Sequence, residues 1–112
     1  MTLRVLFLCS RNRWRSPTAE AIFANRPGLE VDSAGLSPDA EVCLSTEQLE
    51  WADLILVMEP SHRKKLMQKF RANLRDQRVG VLHIPDVYEY MDPKLIELLE
   101  ERCAAYWPGG ES

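Results

Sequence analysis

Val5-Leu6-Phe7-Leu8-Cys9-Ser10-Arg11-Asn12-Arg13-Trp14-Arg15-Ser16-Pro17 runs from four consecutive apolar residues through a polar turn to a Ser-Pro pair. A continuous apolar run with a β-branched start is the pattern of a strand buried on both faces. The polar residues from Arg11 to Arg15 cannot continue that strand inside a core. Ser16 then reads as the N-cap of a helix and Pro17 as its first residue. Ala19, Ile22 and Phe23 recur at helical spacing, and Pro27-Gly28 supplies the stop.

The same alternation continues along the chain. Glu30 to Ser33 reads as a second strand closed by Ala34-Gly35. Ser45-Thr46-Glu47-Gln48 is a capping-box pattern opening a short helix to Trp51 or Ala52. Leu54 to Met58 is the clearest buried strand. Ser61 is the expected cap of a helix with Leu66, Phe70 and Leu74 four apart on one face. Val79 to Ile84 reads as a fourth strand containing a glycine. Asp92-Pro93 opens a last helix with Leu95, Leu99, Cys103 and Tyr106 on one stripe.

Strands alternating with helices imply an α/β three-layer sandwich around a four-stranded parallel sheet with right-handed crossovers. In such sheets ligands bind outside the carboxyl ends of the strands, where the strand order reverses. Cys9, Ser33 and Asp86 each belong at that edge, and Asp53, which precedes the third strand, at the opposite one.

With 112 residues, 46% hydrophobic and 28% charged, the chain is expected to form one globular domain over 1–107 with a flexible tail over 108–112. A net charge of −3 argues against broad nucleic-acid binding. Three irregularly spaced cysteines do not suggest a disulfide framework, and no Cys or His spacing suggests a metal. The apolar start is too short for a signal peptide or a membrane span, so a reducing cytoplasm is the expected setting. No cofactor and no membrane partner is expected, and the oligomeric state is not legible.

Cys9 to Ser16 joins a buried strand to a helix N-terminus. A turn in that place can aim successive backbone N–H groups at one point, which makes an anion site. The same field favours a thiolate at Cys9. Arg15 can fork two N–H donors onto phosphate oxygens and stabilise charge spreading over them. A cysteine ending a buried strand is also an ordinary core residue. The buried strand before it and the Ser-Pro helix start after it favour the functional reading.

These residues resemble the low-molecular-weight protein tyrosine phosphatases, whose signature runs C-x-G-N-x-C-R-S-P. Cys9, Asn12, Arg15, Ser16 and Pro17 stand at the matching places. Asp32 to Gly35, Ala52 to Met58 with Ser61, and Pro85-Asp86-Val87-Tyr88 resemble further family segments in the same order. The resemblance implies hydrolysis of a phosphomonoester, phosphotyrosine in a protein, through a phosphocysteine intermediate. It also implies that Cys9 is the nucleophile, Arg15 the phosphate clamp and Asp86 the general acid. Ser16 is then a hydroxyl bonded to the sulfur, Asn12 a residue holding the loop in shape, and Ser33 its support. Ser10, Arg11, Asn12, Arg13, Trp14, Ser16 and Tyr88 make up the expected substrate-binding set.

Arg11 replaces the family glycine, so a costlier backbone angle is expected there. Trp14 replaces a second cysteine, and Val87 replaces the proline after the acid. The segment between Gly35 and Ser45 is short for the family, so a helix and part of the pocket wall are expected to be missing. Arg11 and Arg13 either favour acidic phosphosubstrates or simply face water. His62-Arg63-Lys64-Lys65 reads as a solvated helix face, His83 as a structural strand residue, Cys103 as core, and Cys43 as a loop thiol that is reactive or idle. Tyr88 is expected to flank a substrate ring, with packing as the alternative, and Tyr90 is a weaker candidate for the same role. Two other functions compete: an arsenate reductase using an external thiol, and a non-catalytic phosphate-binding module. The first lacks relay cysteines between Met58 and Asp86, and the second has no need of a nucleophile or an acid.

Overall fold

Leu3–Cys9 forms β1, and its side chains divide between the two faces of the sheet. Val5, Phe7 and Cys9 enter one core, while Leu6 and Leu8 enter the other. Period-two alternation therefore places apolar groups on both sides, which explains the unbroken hydrophobic run. The structure is a computed structural model that describes residues 2–107. The tail expected over 108–112 lies outside the described residues.

The elements follow as α1 (Arg15–Phe23), β2 (Leu29–Gly35), α2 (Thr46–Trp51), β3 (Leu54–Val57), α3 (Pro60–Phe70), β4 (Arg78–Val81) and α4 (Pro93–Cys103). The four strands are parallel in the order β2-β1-β3-β4, giving the expected three-layer α/β sandwich. The chain reverses direction across the sheet between β1 and β3, and this reversal opens a crevice at their carboxyl ends. Helices α1 and α4 cover one face. There Phe23 lies between Phe7 (centroids 5.9 Å apart, stacked) and Trp107 (5.1 Å, edge-on). On the other face, Leu49 of α2 and Leu66 of α3 are fully buried, with Phe70 and Leu74 packed beside them. Each such apolar side chain contributes roughly 1.5–3 kcal/mol to the folded state.

Several local expectations are corrected. Ser16 is not a cap: α1 starts at Arg15 after Trp14, and the Ser16 hydroxyl is engaged with the turn instead. Ser61 is not the cap of α3 either. Glu59 is, because Pro60 starts the helix two residues earlier and the His62 ring accepts the Glu59 N–H at 3.1 Å. β4 ends at Val81, and His83 leaves the strand, exposed and with φ +57°. The Leu82 and His83 carbonyls accept from Arg102 of α4 (2.8 and 2.9 Å), while the Leu82 and Ile84 N–H groups still donate to Val57 and Met58 (2.9 and 2.8 Å). Gly80 makes room for the Tyr106 ring, which also lies under the Arg78 guanidinium. By contrast, Ser45 and Gln48 form the expected capping box, and the Asp92 side chain accepts from the Lys94 N–H at 2.9 Å.

The short connection after Gly35 contains no helix but still builds a wall. N–H groups of Leu36, Ser37 and Glu41 donate to the carbonyls of Cys9, Ser10 and Arg11 (2.9, 2.8 and 3.0 Å). This pins the carbonyls of the Cys9 turn outward. A Cβ at Gly35 would sit 2.6 Å from the Ser10 carbonyl oxygen and 2.9 Å from the Arg11 carbonyl carbon. Close approach of the two backbones is what requires glycine here.

Candidate active site

The turn from Cys9 to Arg15 closes around a pocket of about 320 Å³ lined by Cys9, Ser10, Arg11, Arg13, Trp14, Arg15 and Asp86. Cys9, the last residue of β1, is only 3% exposed, so its sulfur lies at the floor. The one left-handed residue in the turn is Asn12 (φ +53°), not Arg11. The strain expected at Arg11 therefore falls on asparagine, a residue that tolerates this region. The Asn12 conformation points its N–H at Cys9 Sγ (3.2 Å).

Side-chain hydrogen bonds then tie the turn to its supports. Asn12 Nδ2 donates to Ser16 Oγ (3.0 Å) and to Ser33 Oγ (2.9 Å). Ser16 Oγ lies 3.0 Å from Cys9 Sγ and donates to it once the sulfur is a thiolate, which can only accept. Ser33 in turn donates to Glu20 Oε1 at 2.5 Å. Two donors thus converge on sulfur, an arrangement that stabilises negative charge there. Glu20 ends this chain, and nothing in its own sequence neighbourhood marks it.

Arg15 is 3% exposed and firmly held. Its Nη1 donates to the Ile84 carbonyl (2.8 Å) and to Glu59. These bonds leave the Nε–Nη2 edge as the pair available to an anion in the pocket. Asp86, with a side chain 58% exposed, places Oδ1 3.7 Å from Arg15 Nε. The loop that carries Asp86 is tied down at both ends: Arg15 grips Ile84, and the Met91 N–H donates to Thr18 Oγ1 at 2.9 Å. Val87 in the middle of that loop is 73% exposed and packs on nothing that a proline would improve.

His62 is 2% exposed and belongs to the site, which corrects its reading as part of a solvated face. Nδ1 accepts the Glu59 N–H and therefore carries no proton, so Nε2 holds it and donates to Ser10 Oγ (3.1 Å). Burial and then the Arg15 charge lower the His62 pKa from 6.5 to about 4. Its native pKa is depressed, so the stability it confers is complete above pH 6.5 and is lost as pH falls toward 4. The advantage of the wild type over His62→Gln should shrink by about 3 kcal/mol across that window, as read from urea midpoints. An advantage independent of pH would show that His62 is not held neutral. Glu59 and His62 have a faint sequence signal, an acid and a ring three apart across a proline helix start.

Other candidates fall elsewhere. Arg13 is tied to Glu41 (3.5 Å) and lies 6.0 Å from the Trp14 ring, while Arg11 pairs with no carboxylate among the described residues. Tyr88 does not line the pocket but packs against the core, contrary to the role expected for it beside a substrate ring. The structure places Tyr90 nearer the turn, lining a neighbouring depression with Arg13 and Trp14. Cys43 is exposed against the carbonyls of Pro38 and Ala40 (both 3.6 Å), and burial raises the Cys103 pKa to about 12. Asp53 sits at the far edge, bonded to the Arg4 N–H at 3.1 Å. Among the described residues no group of His, Cys, Asp and Glu has metal-site spacing, and no helix is long and apolar enough to cross a membrane.

Comparison with known proteins adds the following. No family model matches the chain. A protein-arginine-phosphatase of Geobacillus stearothermophilus is 31% identical over 94 residues, covering 62% of this chain and 64% of that protein. The chain thus spans less than two thirds of this curated relative. A YwlE mutant from Bacillus subtilis superposes with a TM-score of 0.65 at 28% identity, over 88% of this chain and 94% of that one. A low molecular weight protein tyrosine phosphatase from Streptococcus pyogenes shares the fold at a TM-score of 0.78 and 16% identity, over 99% and 95% of the two chains.

Proposed function

Because the chain is similar in sequence and fold to the low-molecular-weight phosphatases, we propose that it hydrolyses phosphate monoesters on proteins through a phosphocysteine intermediate. The observation that carries this reading is the convergence of the Asn12 N–H and the Ser16 hydroxyl on Cys9 Sγ, in one pocket with Arg15 and Asp86. In the first step Cys9 Sγ attacks phosphorus while the P–O bond to the substrate breaks. The Asp86 carboxyl gives its proton to the departing oxygen. Arg15, through Nε and Nη2, and the backbone N–H groups of the turn hold the three equatorial oxygens as charge spreads over them. In the second step water attacks phosphorus, Asp86 takes back a proton, and the S–P bond breaks to release phosphate. Ser16, donating to sulfur, stabilises the leaving thiolate.

Phosphotyrosine is the substrate that the family resemblance favours. The curated relative gives specific support to phosphoarginine as a second reading. Para-nitrophenyl phosphate should be turned over and the reaction inhibited competitively by vanadate. Paired peptides carrying phosphotyrosine or phosphoarginine decide the residue. Absence of turnover on all three substrates would leave a phosphate-binding module and overturn the reading.

A further inference from the structure

The stretch from Pro60 to Arg75 holds six Lys or Arg residues and no Asp or Glu, a +6 segment in a chain whose net charge is −3. A reading from the sequence alone treats His62 to Lys65 within it as a solvated helix face. The structure shows a groove of about 670 Å³ between α3 and the edge strand β4. Its floor is apolar, from Pro60, Met67 and Val81, and its rim is Arg63, Lys64 and Arg71. Among the described residues no carboxylate pairs with these three cations.

One end of the groove lies beside the residues that hold Arg15 from behind. Pro60 directly follows Glu59, and His83, which also lines the groove, directly precedes Ile84; both Glu59 and Ile84 bind Arg15 Nη1. A polypeptide whose phosphorylated residue occupies the pocket thus has a cationic surface along α3 near enough for a flanking segment to reach. We infer that this groove docks an acidic segment of the protein substrate, on one side of the phosphorylated residue. Unpaired cations above an apolar floor suit carboxylate side chains on an extended backbone, whose stems and neighbours cover Met67 and Val81. A nucleic acid fits less well, because the floor has no exposed aromatic ring for bases to stack on and the chain as a whole is negative.

The inference rests on the phosphatase reading for its kinetic consequence, so two measurements separate them. In the first, a fluorescein-labelled, unphosphorylated, glutamate-rich peptide is titrated with wild-type protein and with Lys64→Glu/Arg71→Glu at low ionic strength. Wild type should bind it, with affinity falling as salt rises, and the variant should bind at least about tenfold more weakly. In the second, kcat/KM is compared for two phosphotyrosine peptides that differ only in a flanking run of glutamates or of serines. Wild type should prefer the acidic peptide by about tenfold through KM. The variant should lose that preference while keeping wild-type turnover of para-nitrophenyl phosphate, which also reports on its folding. Failure to hydrolyse any phosphate would sink the phosphatase reading and leave the binding arm to decide the groove. Equal peptide binding by wild type and variant, or binding with no kinetic preference, would overturn the inference. So would single-stranded RNA binding on these cations in place of the acidic peptide.

Discussion

Cys9→Ser is expected to lower hydrolysis of para-nitrophenyl phosphate by roughly 10⁴-fold or more while phosphate and vanadate still bind. Nucleophile and anion site are separable in this geometry. In the proposed mechanism the sulfur supplies the attacking electron pair, whereas Arg15 and the backbone of the turn supply the grip. A serine hydroxyl fits the same floor, but it is a far weaker nucleophile and no side chain in contact with Cys9 serves it as a base. Arg15→Lys should behave differently and lose both functions, with kcat/KM down by about 10²–10³ and phosphate affinity reduced in parallel. An ammonium cannot bind Ile84 and Glu59 on one side while offering two parallel donors on the other. Turnover measured beside calorimetric phosphate binding distinguishes the two variants. Near-normal hydrolysis by Cys9→Ser would end the covalent mechanism.

The second large effect is expected at Asp86. Asp86→Asn should slow hydrolysis of an alkyl or tyrosyl phosphate by roughly 10²–10⁴-fold, and that of a nitrophenyl phosphate far less. Proton donation matters most when the departing oxygen is a poor leaving group, so the ratio between substrates is the informative quantity. Asp86 is mostly exposed and near Arg15 Nε, whereas Asp92 is engaged as the N-cap of α4. Asp92→Asn should therefore leave the substrate ratio unchanged, because asparagine also caps. A leaving-group dependence that appeared in Asp92→Asn and not in Asp86→Asn would move the acid to Asp92.

Much of the molecule was legible from local pattern. The parallel α/β sandwich rests on apolar runs and turn residues, which depend only on neighbouring side chains. The placement of Cys9, Ser33 and Asp86 at one sheet edge follows from alternation plus the handedness of crossovers, since a strand's carboxyl end is known once the strand is. Strand ends were less legible. At His83 the carbonyl goes to Arg102, nineteen residues away, and no local rule shows that partner. Helix starts failed for a related reason. Ser16 has a cap's chemistry, but the Asn12 amide and the Cys9 sulfur claim its hydroxyl first.

The sequence by itself determined the order of elements, the face each strand buries, and the turn that carries Cys9 and Arg15, because those depend on short-range sterics and on burial. Only the tertiary structure decided which charges serve the site. His62 stands next to Arg63 and reads as solvated, and Glu59 carries no reading at all, until α3 brings them against Ser10 and Arg15, 52 and 44 residues earlier. Glu20 finds its role through Ser33, and Tyr90 rather than Tyr88 approaches the turn. A polar side chain satisfies its hydrogen bonds with whatever lies within about 3 Å. That distance is set by how helices pack across a sheet, not by where residues stand in the chain.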